Sequence, residues 1–550
     1  MDQIKLLHNL GDFQTAVEDT WGAMKSDRIM ARIWDHDHTV WQNSPEEISN
    51  RLGWLHTPHL MLDQVKDLHG FTQELLQEGF QKALLLGMGG SSLAPEVFQD
   101  IFGSTPGFLE LEVLDTTDPD AIRTTASGLD LERTIFIVAT KSGGTVETLS
   151  LFKYFYNLVG NQVGWENVGA QFIAITDPGS KLVDLAQKHK FRRAFLNDPD
   201  IGGRYSALSY FGLVPAAMIG MDLVHLLEGS LTDLCSCESC DCAIDENNYA
   251  AQLGGILGVL AREGRDKLTF LISPEIDSFG TWVEQLIAES TGKAGTGILP
   301  VVGEPVADPA TYGDDRLFIY LRLGEDQTHE KLVKALVEAG QPVVWLQLNE
   351  PYDLGGQFFL WELATAVASH LLGINPFDQP NVESAKIRAR EMVAAYQENG
   401  ELPQGDTGVL SKETLEDFLN QAIQPGSYLS LQAYLNPTKE IEAALQGLRM
   451  QLGKRFKIPT TLGFGPRFLH STGQLHKGDA GRGVFLQLIN TVAEDLPIPD
   501  QAGEPDSSIG FGVLKAAQAL GDFQALEEAG RQVISYDLGL TPAQELQKLI

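Results

Sequence analysis

Cysteine is nearly absent from this 550-residue chain: all four sit in one run, CSCESCDC, as Cys235, Cys237, Cys240 and Cys242. That excludes a disulfide framework for a chain this long and fits a reducing compartment. Thiolates at a C-x-C-x2-C-x-C spacing could close on one zinc or copper ion. The run lies in an acidic, turn-rich connector with no second ligand pair, however, so a structural or incidental cluster is expected. Basic residues are also scarce, 40 against 74 acidic, for a formal charge of −34. Such a surface repels nucleic acid and anionic membranes, and an anionic small molecule would have to be held by local donors. Long apolar runs are missing too: the richest, LSYFGLVPAAMIGMDLVHLL from Leu208, is broken by Pro215, Asp222 and His225. It reads as a buried helix and not a membrane span. The opening MDQIKLLHNLGDFQ lacks the basic start and apolar run of a secretory signal, so a soluble, cytoplasmic protein is expected. No G-x-x-x-x-G-K-[ST] phosphate loop follows a strand anywhere.

What the chain does have is 43% hydrophobic content, enough for large cores, and a length that suggests three or four units. From about residue 82, short β-rich runs (KALLLGM, LEVLD, TIFIVAT, QFIAIT) alternate with helical stretches. This is the signature of a parallel sheet wrapped by helices. A second set follows, with LTFLIS, RLFIYL and PVVWLQL. Gly, Pro and charge at ENGELPQGDTG (398–408) mark a linker, after which YLSLQAYL, an amphipathic stretch from Thr438 to Arg455, VFLQLI and QVISYDL form a shorter α/β set. The expected organisation is a mostly helical N-terminal segment (1–60), two α/β/α sandwich domains with parallel sheets (61–245 and 246–400) and a C-terminal α/β extension (401–550). DHDHT at 35–39 is a second candidate metal cluster, more simply a polar turn.

Two strand–turn–helix stretches could carry chemistry. In LLLGMGGSSLAPEVF (84–98), backbone N–H groups at the helix start can bind an anion, with Ser91 and Ser92 adding hydroxyls. A nicotinamide oxidoreductase is the decoy reading, because Gly87, Gly89 and Ser92 miss the third glycine of G-x-G-x-x-G. In IFIVATKSGGTVETL (135–149), Thr140, Lys141, Ser142 and Thr145 make a cradle for a small phosphorylated substrate. The plain alternative is helix capping by Ser142 or Thr145, with Glu147 and Thr148 in the first turn.

Three further stretches, GGRYSALS from Gly202, FGTWVEQLIAESTGKAGTGILP from Phe279 and GINPFDQPNVESAK from Gly373, follow in order. With the first two they resemble the phosphoglucose isomerase family, whose members are built from two sugar-isomerase (SIS) domains. The tail, with TTLGFGPRFLHSTGQLHKG and FGVLKAAQALGDFQAL, looks like the isomerase half of bacterial transaldolase/phosphoglucose isomerase fusions; the residues before 82 are too few for a transaldolase (β/α)8 barrel. The resemblance implies interconversion of glucose 6-phosphate and fructose 6-phosphate, with no metal and no organic cofactor. It assigns the phosphate to Ser91, Thr140, Ser142 and Thr145 with Lys141 nearby, adds Gly90 and Gly203 as substrate contacts, and places Arg204 over the developing enediolate. Glu289 is then the base, with Gln285 one turn earlier on the same helix face. Gln379 contacts substrate and Lys386 serves ring opening. A homodimer binding a hexose 6-phosphate, and neither nucleic acid nor membrane, is the implied assembly.

The chemistry asks for these residue types independently. Moving a carbonyl between C1 and C2 needs one base that takes a proton from one carbon and returns it to the other. The enediolate oxygen needs a fixed cation, which a guanidinium supplies without risk of deprotonation. Taken singly, Glu289 reads as an exposed helix carboxylate and Arg204 as a surface ion pair. The family also uses a histidine to open the ring, and His329, His370, His470 and His476 are the candidates, none of them selected by its surroundings. Alternative readings are a bifunctional phosphoglucose/phosphomannose isomerase and a non-catalytic sugar-phosphate sensor.

Overall fold

The computed structural model describes residues 5–238, 248–403, 405, 407, 408 and 411–549, without the side chains of 232–238; the CSCESCDC thiols lie outside what it describes. Five strands, Lys82–Leu86, Glu110–Leu114, Thr134–Ala139, Phe172–Thr176 and Arg193–Leu196, form an all-parallel sheet. The first strand in sequence lies between the second and the third. At that reversal the connections leave to opposite sides and open a crevice at the carboxyl ends of Lys82–Leu86 and Thr134–Ala139. Every residue of TIFIVA is buried, as a sheet covered on both faces requires.

The second sheet repeats the order with Lys267–Ile272 between Leu299–Val301 and Arg316–Leu323, followed by Val343–Leu348. Its far edge is closed by Lys5–Asn9, which pairs antiparallel with Val343–Leu348. The reading of residues 1–60 as mostly helical missed this strand, because KLLHN is too short to show a period and is ordered only by the edge it joins. The third sheet, in the C-terminal extension, has the same plan: Tyr428–Tyr434 lies between Thr460–Phe464 and Gly483–Ile489, and Gln532–Asp537 follows. The apolar run from Leu208 becomes two helices, Tyr210–Met218 and Leu223–Glu238, and among the described residues no helix is long and apolar enough to cross a membrane.

Strand alternation decides which layers share a core. Ala83, Leu85, Ile135 and Ile137 face a large core that also holds Leu268, Phe270, Leu317 and Ile319 of the second sheet. Between the sheets runs the helix Leu354–Leu372, buried from Leu354 to Ser369, which explains why its sequence is apolar on every side. The alternate residues Leu84, Leu86, Phe136 and Val138 face the opposite way, into a core completed by Phe511 and Leu514 of the C-terminal extension. The extension therefore covers one face of the first sheet. It also touches the second: Leu299 and Val301 pack with Tyr428, Leu475, Phe485 and Leu526.

A buried arginine fastens that second contact. Arg449, only 2% exposed, donates to the carbonyls of Gly303 at 2.7 Å, Val302 at 2.9 Å and Thr460 at 3.2 Å. Burial lowers its pKa to about 10, so it still carries its charge at neutral pH. Arg449→Met removes every donor while leaving the carbonyls buried; the expected loss is about 2–4 kcal/mol, read from the urea unfolding midpoint.

Candidate active site

Loops at the carboxyl ends of the first sheet, the helix Phe279–Thr291, the segment 376–386 and the turn 467–470 meet around a cavity of about 560 Å³. All of Gly90, Ser91, Thr140, Lys141, Ser142, Thr145, Gly203, Arg204, Gln285, Glu289, Gln379 and Lys386 line it. Asn50, Arg51, Asp177 and His470 line it as well. A larger cavity of about 840 Å³ opens alongside and shares Ser142, Thr145, Lys386 and His470 with it.

The cradle end is built by the two strand–turn–helix stretches. Thr145 is the N-cap residue of Val146–Val163, yet its side chain caps nothing; its hydroxyl lies 2.9 Å from that of Thr140. The Thr145 hydroxyl thus does not cap the helix, while Ser142 Oγ accepts from the Gly144 N–H at 3.2 Å. Lys141 pairs with Asp177 and donates to the carbonyl of Pro199 at 2.8 Å, so its charge is already partly offset. The turn after Lys82–Leu86 is glycine by necessity. Gly89 adopts φ +55°, and a Cβ there would lie 2.7 Å from the His470 carbonyl oxygen. On Gly90 it would lie 2.0 Å from the carbonyl oxygen of Gly203.

At the other end, Glu289 and Gln285 share a helix face as their spacing predicts, with Gln285 Nε2 donating to Glu289 Oε2 at 3.1 Å. Arg204 is 4% exposed and heavily bonded. Its Nε donates to Ser290 Oγ at 2.8 Å, one terminal nitrogen to Gln379 Oε1 at 3.0 Å, and the other to the carbonyls of Pro376 at 2.6 Å and Asp378 at 3.0 Å. Glu289 Oε1 lies 3.4 Å from the guanidinium. Arg204 is therefore a buried cation and not a surface ion pair. Lys386 stands at the rim, half exposed, with Glu383 3.9 Å away.

The structure separates the histidines. His329 is turned to the Ile272 carbonyl and His370 to that of Val40. His476 is buried among Tyr428, Phe468 and Phe485, and burial drives its pKa well down. Only His470 of these four lines the cavity. Its Nε2 lies 3.0 Å from Glu147 Oε1, and Glu147 also accepts from Gln518 Nε2 at 2.6 Å. Burial alone would raise the Glu147 pKa, but the charge and hydrogen bond of His470 outweigh it and hold the carboxyl below its usual range. The sequence reading placed Glu147 in a helix turn and left His470 unassigned; no local signal could pair residues 323 positions apart.

The C-terminal turn is pinned on both sides. Arg467 pairs with Glu96 and lies 3.4 Å from Asp115, whose own pKa burial raises. Gln474, fully buried, donates to the Gly292 carbonyl and to Asn381 Oδ1 and accepts from the Asn381 N–H. DHDHT is the polar turn: Asp37 accepts from the Thr39 N–H at 2.9 Å and pairs with Arg32. Among the described residues no three His, Cys, Asp or Glu side chains cluster as a metal site.

The tight approach of the turns predicts a specific failure. Gly90→Ala is expected to push the Gly203–Arg204 turn away by about 1 Å and to cost about 1–3 kcal/mol, checked by a crystal structure and urea unfolding.

Residues 68–302 match the phosphoglucose isomerase family. A probable glucose-6-phosphate isomerase of Methanococcus maripaludis is 27% identical over 400 residues, covering 65% of this chain and 87% of that protein. A glucose-6-phosphate isomerase of Carboxydothermus hydrogenoformans is 28% identical, covering 61% and 83%. Among solved structures, a glucose-6-phosphate isomerase from Chlamydia trachomatis has the same fold, with a TM-score of 0.52 at 20% identity over 72% of this chain and 81% of that one. Gln379, Lys386 and His470 lie beyond the matched family segment, and the fold alone brings them to it. The chain carries a phosphoglucose isomerase domain, spanning residues 68–302.

Proposed function

We propose that this protein interconverts glucose 6-phosphate and fructose 6-phosphate by moving a proton between C2 and C1 through a cis-enediolate. One observation carries the reading: a carboxylate, a buried guanidinium and a hydroxyl-lined helix start face one cavity sized for a small molecule. The phosphate is held by the hydroxyls of Ser91, Thr140, Ser142 and Thr145 at the start of Val146–Val163, in keeping with a protein of net charge −34 that must rely on local donors. With the phosphate at that end, C1 and C2 extend toward Glu289.

The ring opens first. The pair formed by His470 and Glu147 suits this step, since a buried carboxylate orients the imidazole and stabilises its protonated form as it exchanges a proton with the ring oxygen. Lys386 stands on the same rim to assist. Glu289 then removes the C2 proton of the open aldose, the electron pair shifts to give an enediolate, and Arg204 balances the negative oxygen. The O2 hydroxyl proton passes to O1, and Glu289 returns its own proton to C1, which yields the ketose and regenerates the carboxylate. Gln285 fixes the rotamer of Glu289, and Gln379 is held by Arg204. A homodimer, which the family resemblance implies, is not needed to gather these groups, because all come from one chain.

Fructose 6-phosphate turnover, coupled to glucose-6-phosphate dehydrogenase, tests the reading. Glu289→Gln should lower kcat by about 10²–10⁴-fold, and a chelator should leave the wild type unchanged. His470→Asn should slow turnover of the cyclic substrate by about 10²-fold yet spare an analogue lacking the 5-hydroxyl, which cannot close its ring. Wild-type binding of sugar phosphate without turnover would refute the reading.

A further inference from the structure

We propose that Lys293 is a positioning residue for this reaction: it clamps the 376–379 loop, and through that loop it fixes the guanidinium of Arg204 over the base. The inference rests on the isomerase reading above, in which Lys293 has no part. Lys293 follows directly on the helix Phe279–Thr291 that carries Glu289, separated from it only by Gly292. Its side chain is 4% exposed, and its ammonium donates to both the main-chain oxygen and the carboxylate of Asp378, the latter at 2.8 Å.

The same loop supplies most of what holds Arg204. The carbonyls of Pro376 and Asp378 and the side chain of Gln379 accept from its two terminal nitrogens, leaving Ser290 to anchor Nε. Asp378 O is therefore shared, taking a bond from Lys293 on one side and from Arg204 on the other. A carbonyl polarised by two cations is a strong, directional acceptor, and it ties the loop rigidly to the end of the base helix. Lys293 itself does not line the cavity, so it reaches the substrate only through Arg204 and Gln379.

Burying an ammonium beside a guanidinium has a cost that the loop offsets only in part. The charged groups facing Lys293 are Arg204 on the 203–205 turn, Asp378 on the loop and Glu289 on the helix just before it. Burial, and then the repulsion of Arg204, lower the Lys293 pKa to about 8, against the pull of Asp378 and Glu289. The ammonium is thus charged below about pH 8 and loses its proton above it. Deprotonation releases Asp378 and loosens the loop, so turnover should fall on the alkaline side as Lys293 titrates.

The test compares wild type, Lys293→Met and Lys293→Arg in fructose 6-phosphate turnover across pH 6.5–10, with thermal midpoints recorded for each. Lys293→Met should lower kcat by about 10²-fold while changing KM by less than about threefold, because the phosphate cradle is untouched. Lys293→Arg should recover most of kcat and shift the alkaline limb beyond about pH 9, since a guanidinium does not titrate there. A folded Lys293→Met enzyme with wild-type kcat would overturn the inference, as would a Lys293→Arg enzyme whose alkaline limb stays where the wild type has it. Should Lys293→Met fail to fold, the pH profile of Lys293→Arg decides alone. An inactive wild type would sink the isomerase reading, and this one with it; an active wild type indifferent to both substitutions would sink this one only.

Discussion

Arg204 carries a full positive charge into a place where 4% of it is exposed, and a cation so buried must have each of its donors met. Its acceptors come from distant parts of the chain: Ser290 at the end of the base helix and Pro376, Asp378 and Gln379 from the loop before the helix Val382–Asn399. Satisfying one side chain therefore brings Glu289, the loop and the rim lysine into fixed relation. The 3.4 Å separation from Glu289 Oε1 is a consequence of that arrangement, since neither group could be placed without the other.

Close backbone approach is the second constraint. The turn at Gly89 and Gly90 lies against both the Gly203 carbonyl and the His470 carbonyl, with no room for a side chain at either position. Because His470 belongs to the C-terminal extension, that turn joins all the contributing units at one point. The extension is held there by unlike means: apolar packing of Phe511 and Leu514 on the first sheet, the buried donors of Arg449 on the second, and Gln474 between the base helix and Asn381. Its role is to close the cavity with a histidine and to shield that histidine's partner, Glu147.

An acidic protein that takes an anion has to avoid its own field. The cradle proposed above is lined by hydroxyls at a helix start, and its one lysine, Lys141, is paired with Asp177. Neutral dipoles fixed by the fold supply local positive potential without net charge, and they keep their orientation when the site is empty. At the opposite end of the cavity Arg204, and Lys293 behind it, are compensated by the loop.

How much of this was legible beforehand differs by residue. The parallel α/β sheets were readable because runs such as TIFIVA and LFIYL bury both faces and leave a continuous apolar signature. The motif residues from Gly90 to Lys386 were nominated by resemblance and by the chemistry of their types, and local spacing alone fixed Gln285 and Glu289 to one helix face. The strand Lys5–Asn9, by contrast, is ordered by the edge of a sheet more than three hundred residues away. The bond between His470 and Glu147 and the clamp of Lys293 on Asp378 arise the same way, from polar groups that leave water together when distant elements pack. The layers and the types of chemical group available follow from periodicity and side-chain chemistry, which are local properties. Only the tertiary structure decided which histidine faces the cavity and which lysine is buried behind it, because burial, shared acceptors and close approach are properties of neighbours in space.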